Sequence, residues 1–178
     1  VMTSNKVVIV AAKRTPIGTF MGSLSKVPTT LIGSKSIAAA IKSISLNPEL
    51  IDEVYFGNVL QAGVGQAPAR QAAIFAGISE HVPCTTINKV CSSGMKSISI
   101  AAQSIALGEN DIVVAGGMEN MSMSPHYLNF RKGVKFGETR LKDAMEIDGL
   151  IDPFHNKLMG AYAEDTARKY RISREEQD

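Results

Sequence analysis

The spacing of apolar residues predicts alternating strands and helices up to about residue 117. Short runs that predict strands lie at residues 6–12, 53–60, 83–88 and 111–115, and the first and last of them are typical of buried strands. Between them, apolar residues recur at helical spacing from about Thr30, from Pro68 and after Cys91. The order β-α-β-α-β-α-β with short links predicts a mostly parallel sheet covered by helices, with functional residues at the carboxyl ends of the strands.

Two of the predicted helices have a readable apolar face. The first face is marked by Leu31, Ser34, Ile37, Ala38, Ile41 and Ile44, and the face of the helix after Cys91 by Met95, Ile98, Ala102 and Ile105. Gly108 is well placed to end the second helix, because a left-handed residue commonly follows the last turn and glycine adopts that conformation without strain.

Residues 118–178 differ in character from the first part of the chain. Methionines, turn residues and charges are mixed there, and a helix is predicted from about Leu158 to Tyr170. Ser173 and Glu176 have the spacing of a capping box, which marks a helix start. We interpret this part as a separate, looser module, and since the last helix start lies so close to Asp178, we expect a longer protein.

The main chemical candidate is Cys91, within residues 85–96. A β-branched run leads into the cysteine, and small residues and a helical pattern follow, which predicts a thiol at a turn before a helix. Unpaired N–H groups and the helix dipole favour negative charge there and so lower the cost of forming the nucleophilic thiolate. The alternative is an inert, buried cysteine, since free cysteine is among the most buried residue types.

A second polar segment, residues 116–119, follows the fourth predicted strand. The carboxyl ends of parallel strands meet at one edge of a sheet, so we expect Glu119 and the glycines before it on the same edge as Cys91. The convergence of two strand ends favours a functional site at this edge.

Composition and charge argue against several classes of function. Hydrophobic residues make up 44% of the chain, charged residues 20%, and the net charge is +2, which are ordinary values for a globular protein. The basic residues are scattered and not interleaved with aromatic ones, which argues against a nucleic-acid partner. No apolar run approaches a membrane span, no histidine pair has metal-ligand spacing, and we expect no transit peptide within these residues.

The other candidate residues have mainly structural interpretations. The two cysteines, Cys84 and Cys91, form no disulfide framework and fit a reducing compartment. Cys84 lies early in the third strand and is predicted to be a small buried hydrophobic residue rather than a reactive thiol. The glycines at 63–65 lack the Gly-Lys-Ser/Thr ending of a phosphate-binding loop, and Arg70 is expected to be structural or interfacial.

Two motifs resemble those of the thiolases. They are Asn-Lys-Val-Cys-Ser-Ser-Gly-Met at 88–95 and Gly-Gly-Met-Glu-Asn-Met-Ser at 116–122. Further agreeing stretches occur in family order along essentially the whole chain, at 14–18, 57–61, 65–72, 148–150, 159–160 and 163–164. Each stretch alone is weak, and together they are highly specific. The resemblance is greatest to the acetoacetyl-CoA branch of mitochondrial type, especially at 83–91.

This resemblance implies an α/β protein with the βαβαβαββ layered fold of the thiolases, in which the sheet is mostly parallel and a loop domain is inserted. Residues 1–117 would form the core part of the N-terminal domain, and residues 118–178 the beginning of the loop domain. A thiolase subunit is considerably longer. Its C-terminal domain, whose motifs do not occur in these residues, supplies a catalytic histidine, a second cysteine and an asparagine that helps to hold a water molecule.

The resemblance also implies a reaction. Cys91 would attack the keto carbon of acetoacetyl-CoA and become acetylated, and the acetyl group would then pass to CoA. The histidine would activate Cys91, the second cysteine would move the proton at the α-carbon, and an oxyanion hole would hold the thioester oxygen. Coenzyme A is substrate and product, no metal or redox cofactor takes part, and activation by potassium is compatible with the family. These residues alone are expected to be inactive.

By position in the family, Leu150 and Met159 match residues that line the CoA and acyl pocket. Leu158 stands where many short-chain thiolases carry a CoA-contacting histidine, so substrate contacts are expected to differ there. The basic segment 131–135, which on composition alone would be a solvated loop, resembles the loop that tetrameric thiolases use for assembly.

The implied partners are acyl-CoA substrates and further copies of the chain in a dimer of dimers, with neither nucleic acid nor membrane. The implied location is the mitochondrial matrix, with the cytoplasm as the alternative.

Two other functions stay open. One is a longer-chain 3-ketoacyl-CoA thiolase, because the Cys-Ser-Ser-Gly sequence at 91–94 also occurs in degradative members of the family. The other is a non-catalytic acyl-CoA-binding or assembly module, with these residues as the natural product. The helix start just before Asp178 argues against the second alternative.

Overall fold

The computed structural model describes residues 6–178 and divides them into two compact units, one ending at Ser124 and the other spanning Pro125–Asp178. Residues 1–5 of the predicted N-terminal domain lie outside the described part. The helices and strands of the first unit are α1 (Thr29–Ser43), β1 (Glu53–Gly57), α2 (Pro68–Phe75), β2 (Cys84–Ile87), α3 (Ser93–Leu107) and β3 (Val113–Gly117). Short 3-10 turns lie at Pro48–Leu50 and Met121–Met123.

Three parallel strands form a sheet in the order β2-β1-β3. Gly57, the last residue of β1, pairs with Ile87 of β2 and Gly117 of β3, so the three strands end in register. The predicted α/β class with a parallel sheet is confirmed, as are the three helices of this part of the chain.

The two faces of the sheet carry different helices. Phe56 faces α1, because a Cβ atom added at Gly33 would lie 3.2 Å from its ring. The next residue, Gly57, faces α3, where an added Cβ would lie 2.8 Å from the Cβ of Ser93. The buried core is on the α1 and α2 face and includes Ile37, Ile41, Ile51, Val54, Phe56, Ala69, Ala72, Ala73, Ile78, Val82 and Met118.

Helix α3 packs through small residues. Its buried positions are Ser93, Ser97, Ala101 and Ser104. Met95 and Ile98 are 74% and 45% exposed, so the apolar stripe predicted for this helix is not the face that packs on the sheet. Short side chains let the helix approach closely, and the Oγ atom of Ser97 lies 2.6 Å from the carbonyl oxygen of Gly116. Gly108 ends the helix in the left-handed conformation, as predicted.

The predicted first strand at residues 6–12 is wrong. The segment has no regular secondary structure, and Val8, Ile9 and Val10 are 60%, 77% and 67% exposed. A strand forms only beside a neighbour with free N–H and C=O groups, and within residues 6–178 no strand pairs with this segment. An apolar run indicates a preference for burial but does not supply the neighbouring strand.

The last predicted strand is displaced. It runs over Val113–Gly117 instead of 111–115, and it is partly rather than fully buried. The displacement has a local cause, because the N–H groups of Asp111 and Ile112 both donate to the Asp52 carboxylate at 2.8 Å. These two residues therefore form the entry turn of the strand.

The second unit consists of short elements. They are the antiparallel pair β4 (His126–Tyr127) and β5 (Lys142–Asp143), a π-helical turn at Glu146–Leu150, the antiparallel pair β6 (Ile151–Asp152) and β7 (Lys157–Leu158), and the helices α4 (Met159–Tyr170) and α5 (Arg174–Gln177). Helix α4 and the capping box between Ser173 and Glu176 are both confirmed. No helix among residues 6–178 is long and apolar enough to cross a membrane.

Candidate active site

Cys91 lies in the turn that joins β2 to α3, and its side chain is exposed. The expected burial in the alternative interpretation is therefore wrong for this residue, and the reactivity of its thiol stays a prediction. The preceding residue, Val90, has a φ of 47°, in the left-handed region that β-branched residues rarely adopt. Backbone strain of this kind persists only where neighbouring interactions hold it, and it concentrates at functional sites.

Hydrogen bonds hold this strained turn. The N–H of Val90 donates to Asn88 Oδ1 at 3.0 Å, and the Ser93 hydroxyl donates to the Val90 carbonyl at 2.6 Å. The same hydroxyl accepts from the N–H of Lys89 at 2.8 Å. The N–H groups of Ser92 and Ser93 donate to the carbonyls of Lys89 and Val90, so they serve the turn. The support that α3 offers to a thiolate at Cys91 therefore rests on the dipole and on later N–H groups.

Three glycines, Gly57, Gly94 and Gly117, allow the start of α3 to pack closely against the sheet. A Cβ at Gly57 would lie 2.7 Å from the Gly94 nitrogen, and a Cβ at Gly117 would lie 3.2 Å from the Gly94 Cα. Both strand glycines are the last residues of their strands. The predicted convergence of the 116–119 segment and the cysteine turn is thus a direct backbone contact at the carboxyl edge of the sheet.

Glu119 follows β3 at this edge and is partly buried. Its carboxylate accepts hydrogen bonds from Asn58 Nδ2 at 2.8 Å, Val59 N at 2.9 Å and Leu60 N at 3.3 Å. Burial raises the pKa of the Glu119 carboxyl, while the same three donors act in the opposite direction. The carboxylate thus joins the loop after β1 to the loop after β3.

Cys84 has a different environment at the other end of β2. It is partly exposed and packs against the core, and its thiol donates to the Val82 carbonyl at 3.3 Å. Burial raises the pKa of the Cys84 thiol, and the nearby Arg70 partly offsets this increase. The structural interpretation of Cys84 fits these surroundings, with the difference that burial is incomplete.

The other predicted site residues belong to the second unit. The register of β6 and β7 pairs Ile151 with Leu158, which places Leu150 and Met159 beside each other beyond that pair. Leu158 and Met159 are 47% and 42% exposed, and Leu150 is partly buried. The three residues therefore lie at or next to the Ile151–Leu158 pair, at the base of the hairpin.

An unpredicted cluster lies in the same hairpin. The Asp152 carboxylate accepts a hydrogen bond from the Tyr162 hydroxyl at 2.8 Å and contacts His155 Nδ1 at 2.6 Å. Tyr162 first, then His155 and the N–H of Phe154, lower the pKa of Asp152 to about 2. The cluster fixes the tip of the hairpin.

Sequence reasoning missed the residues that shape the cysteine turn. The left-handed Val90 carries no local signal, since valine is not a residue expected in that conformation. The sequence identifies the serines at 92 and 93 only as small residues, whereas in the structure Ser93 forms hydrogen bonds to both Lys89 and Val90. The sequence identifies Asn58 only as part of a motif. In the structure it is 1% exposed, and its side chain donates a hydrogen bond to Glu119.

Residues 7–178 match the family model described as thiolase, N-terminal domain. The chain is 58% identical to acetyl-CoA acetyltransferase 2 of Arabidopsis thaliana, over 97% of this chain and 43% of the relative. It is 52% identical to the mitochondrial acetyl-CoA acetyltransferase of Bos taurus, over 99% of this chain and 42% of the relative. It is 50% identical to the cytosolic acetyl-CoA acetyltransferase of Rattus norvegicus, over 98% of this chain and 44% of the relative.

The chain thus spans less than half the length of these relatives, and nearly all of it aligns with them. The family match covers both units, including the cysteine turn and the hairpin of the second unit. The chain belongs to the thiolase family and consists of sequence from its N-terminal domain.

Proposed function

We propose that the chain is the N-terminal part of an acetyl-CoA C-acetyltransferase, an acyltransferase that cleaves acetoacetyl-CoA with CoA to give two molecules of acetyl-CoA. The names of the relatives support this class of reaction. The observation that carries the proposal is Cys91, an exposed thiol on a strained turn before α3 at the carboxyl edge of a parallel sheet. In this interpretation residues 118–178 begin the loop domain.

The proposed reaction proceeds in two covalent steps. The Cys91 thiolate bonds to the keto carbon of acetoacetyl-CoA, and the bond between that carbon and the α-carbon breaks. The released electron pair stays on the α-carbon, which takes up a proton to give acetyl-CoA. The CoA thiolate then attacks the acetyl-cysteine, and Cys91 leaves as thiolate.

The described residues supply the nucleophile and its support. The Ser93 hydroxyl and Asn88 hold the turn that presents Cys91, and the glycine contacts fix the start of α3. Proton transfer is assigned to the histidine and second cysteine of the remaining part of the subunit, by resemblance to the family. No metal or redox cofactor enters these bond changes, and potassium is proposed only as an activator.

We assign Leu150, Leu158 and Met159 to the pocket for the acyl-CoA. Their support is the family resemblance by position, together with the hairpin register, which places the three residues at or next to the Ile151–Leu158 pair. Leu158 offers no hydrogen bond where a histidine would, so contacts to CoA there would be apolar. The exposed basic segment 131–135 is proposed to serve assembly into a dimer of dimers. The matrix of mitochondria is the proposed location, with the cytoplasm as the alternative that the cytosolic relative supports.

The decisive experiment traps the acetyl-enzyme. The full-length subunit is mixed with acetoacetyl-CoA, quenched in acid and digested, and the peptide containing residue 91 is analysed by mass spectrometry. We expect an acetyl group on Cys91, none on Cys84, and none at either position in Cys91→Ala. Turnover without acetylation of Cys91 would refute the proposal.

Two further measurements test the substrate range and the need for the rest of the subunit. Relative turnover of acetoacetyl-CoA and longer 3-ketoacyl-CoAs separates the proposed enzyme from a longer-chain thiolase. The 178-residue chain alone is expected to be inactive, because its proton-transfer partners lie elsewhere. Measurable thiolysis by the isolated chain would show that the assignment of roles is wrong.

A further inference from the structure

We propose that Glu119 is a positioning residue for Cys91, because its carboxylate joins the loop after β3 to the loop after β1, and the last residues of these two strands contact the start of α3. The inference depends on the proposed function, in which Cys91 is the nucleophile. Glu119 does not touch the reacting atoms in this proposal. It acts through the backbone that holds the cysteine turn.

The first connection runs from β3 to β1. Glu119 Oε2 accepts from Val59 N at 2.9 Å, and Oε1 accepts from Asn58 Nδ2 at 2.8 Å. Asn58 and Val59 directly follow the last residue of β1. One side chain after β3 therefore holds the first two residues after β1.

The second connection runs through Asn58 to β2. The Asn58 N–H donates to the carbonyl of Ile87, the last residue of β2, at 3.0 Å. Asn58 Nδ2 also lies 3.3 Å from the Met118 carbonyl, and the residue is 1% exposed. The carboxylate and the Asn58 side chain thus join β3 to the loop after β1, and the Asn58 backbone N–H joins that loop to the end of β2.

The ends of β1 and β3 pack tightly against the start of α3. The Gly57 and Gly117 backbones contact Gly94 so closely that an added Cβ at Gly57 would lie 2.7 Å from the Gly94 nitrogen. Ser93, one residue earlier, bonds Lys89 and Val90 on the strand side of Cys91. A displacement of either strand end is therefore passed to the turn that carries the thiol.

The side chain at 119 must accept on both oxygens. Asn58 Nδ2 approaches Oε1 and Val59 N approaches Oε2, and both partners are donors. A glutamine has one carbonyl oxygen and one NH₂ group, so in either orientation it sets a donor against a donor. Turning the Asn58 amide to present its oxygen would instead break the bond from Asn58 Nδ2 to the Met118 carbonyl. A buried donor without an acceptor is destabilising, and the loops after β1 and β3 are expected to separate.

The test compares three variants of the full-length subunit: Glu119→Gln, Glu119→Asp and, as a control, Glu80→Gln, whose carboxylate is exposed before β2. The measurements are kcat and KM for acetoacetyl-CoA thiolysis and the iodoacetamide alkylation rates of Cys91 and Cys84. For Glu119→Gln we expect kcat and the Cys91 rate each to fall about tenfold, with KM and the Cys84 rate within about twofold. Aspartate keeps both acceptor oxygens, so Glu119→Asp should recover part of both losses.

Three outcomes would contradict the inference. One is an unchanged Cys91 alkylation rate with reduced kcat, because Glu119 would then act elsewhere. Another is faster alkylation of both cysteines, which would indicate general loosening. The third is a loss in Glu80→Gln equal to that in Glu119→Gln. If Glu119→Gln does not fold, the same comparison is made with Glu119→Asp. Failure of the proposed function is separately visible, because Cys91→Ala would then retain turnover.

Discussion

The two ends of the parallel sheet hold the two cysteines of the chain in opposite environments. At the amino end, Cys84 begins β2, packs against the core and has a thiol pKa raised by burial. At the carboxyl end, Cys91 follows β2 on an exposed, strained turn. One short strand separates them, so local composition does not explain the difference.

The difference arises from what surrounds each end. Larger apolar side chains cover the amino end, where Cys84 packs against the core cluster. Glycines form the carboxyl end and allow the start of α3 to reach the strand backbone. This close approach places the N-terminus of α3, with its helix dipole, directly after Cys91. The exposed thiol of Cys91 therefore follows a strand end at which the backbones pack closely.

The largest expected effect comes from deleting each thiol in the full-length subunit. Cys91→Ala removes the proposed nucleophile and should lower kcat/KM for acetoacetyl-CoA thiolysis by about 10⁴-fold or more. Cys84→Ala removes a packing group away from the reacting atoms and should change kcat/KM by less than about threefold. Steady-state kinetics of both purified variants measures the contrast. Similar losses in the two variants would show that the two ends of the sheet are not functionally distinct.

Chemical labelling compares the two thiols without mutation. Iodoacetamide should alkylate Cys91 on the order of 100-fold faster than Cys84 near neutral pH, because Cys91 is exposed and burial raises the pKa of Cys84. A raised thiol pKa means less thiolate at a given pH, so the Cys84 rate should keep increasing as the pH rises above 9. Peptide mass spectrometry over time gives both rates. Equal labelling would remove the case for a distinctive thiol at Cys91.

The sequence predicted those parts of the fold that depend on neighbouring residues. The helices, three of the strands and the capping box at Ser173 follow from local spacing, and the structure contains them. The segment 6–12 was predicted incorrectly, because a strand also needs a partner that no local pattern reveals. The predicted apolar face of α3 was wrong for a related reason. The face that packs on the sheet is the one that fits against the glycines of β1 and β3, which are distant in sequence.

The candidate site was predictable only in part. The position of Cys91 at a turn before a helix follows from the sequence, and so does the nearness of the segment at 116–119. The left-handed conformation of Val90 and the bonds of Ser93 depend on the folded turn. The link between Asn58 and Glu119 joins residues far apart in the chain, so only the structure shows it.

A methyl group at the carboxyl edge tests the close packing directly. Gly57→Ala places a Cβ 2.7 Å from backbone atoms of Ser93 and Gly94, which cannot move aside as a side chain could. We expect the free energy of unfolding to fall by about 1–3 kcal/mol, with slower alkylation of Cys91. Gly160→Ala is the stability control, because its Cβ meets nothing within 4 Å and alanine favours a helix. Denaturant unfolding of both variants is the measurement, and an unchanged stability for Gly57→Ala would contradict the proposed contact.

The smallest expected effect lies at the amino end. The N–H groups of Ile112 and Asp111 lower the pKa of Asp52, which holds the entry to β3. A carboxyl whose pKa is lowered on folding stabilises the fold above its unfolded pKa of about 3.9, and this contribution is lost as the pH falls through the lower folded value. Because Asp52 is exposed, Asp52→Asn should cost only about 0.5 kcal/mol at pH 7 and nothing below both pKa values.

Denaturant unfolding at neutral and acidic pH measures this difference, with the exposed Glu49→Gln as the matched control. Asp52→Asn should also leave the alkylation rate of Cys91 unchanged, since the carboxylate holds the opposite end of β3 from Gly117. A slower Cys91 in this variant would mean that a disturbance at the amino end passes along the strand to the cysteine turn. The two ends of the sheet would then form one mechanical unit, and the distinction between Cys84 and Cys91 could not be assigned to local packing at the glycines.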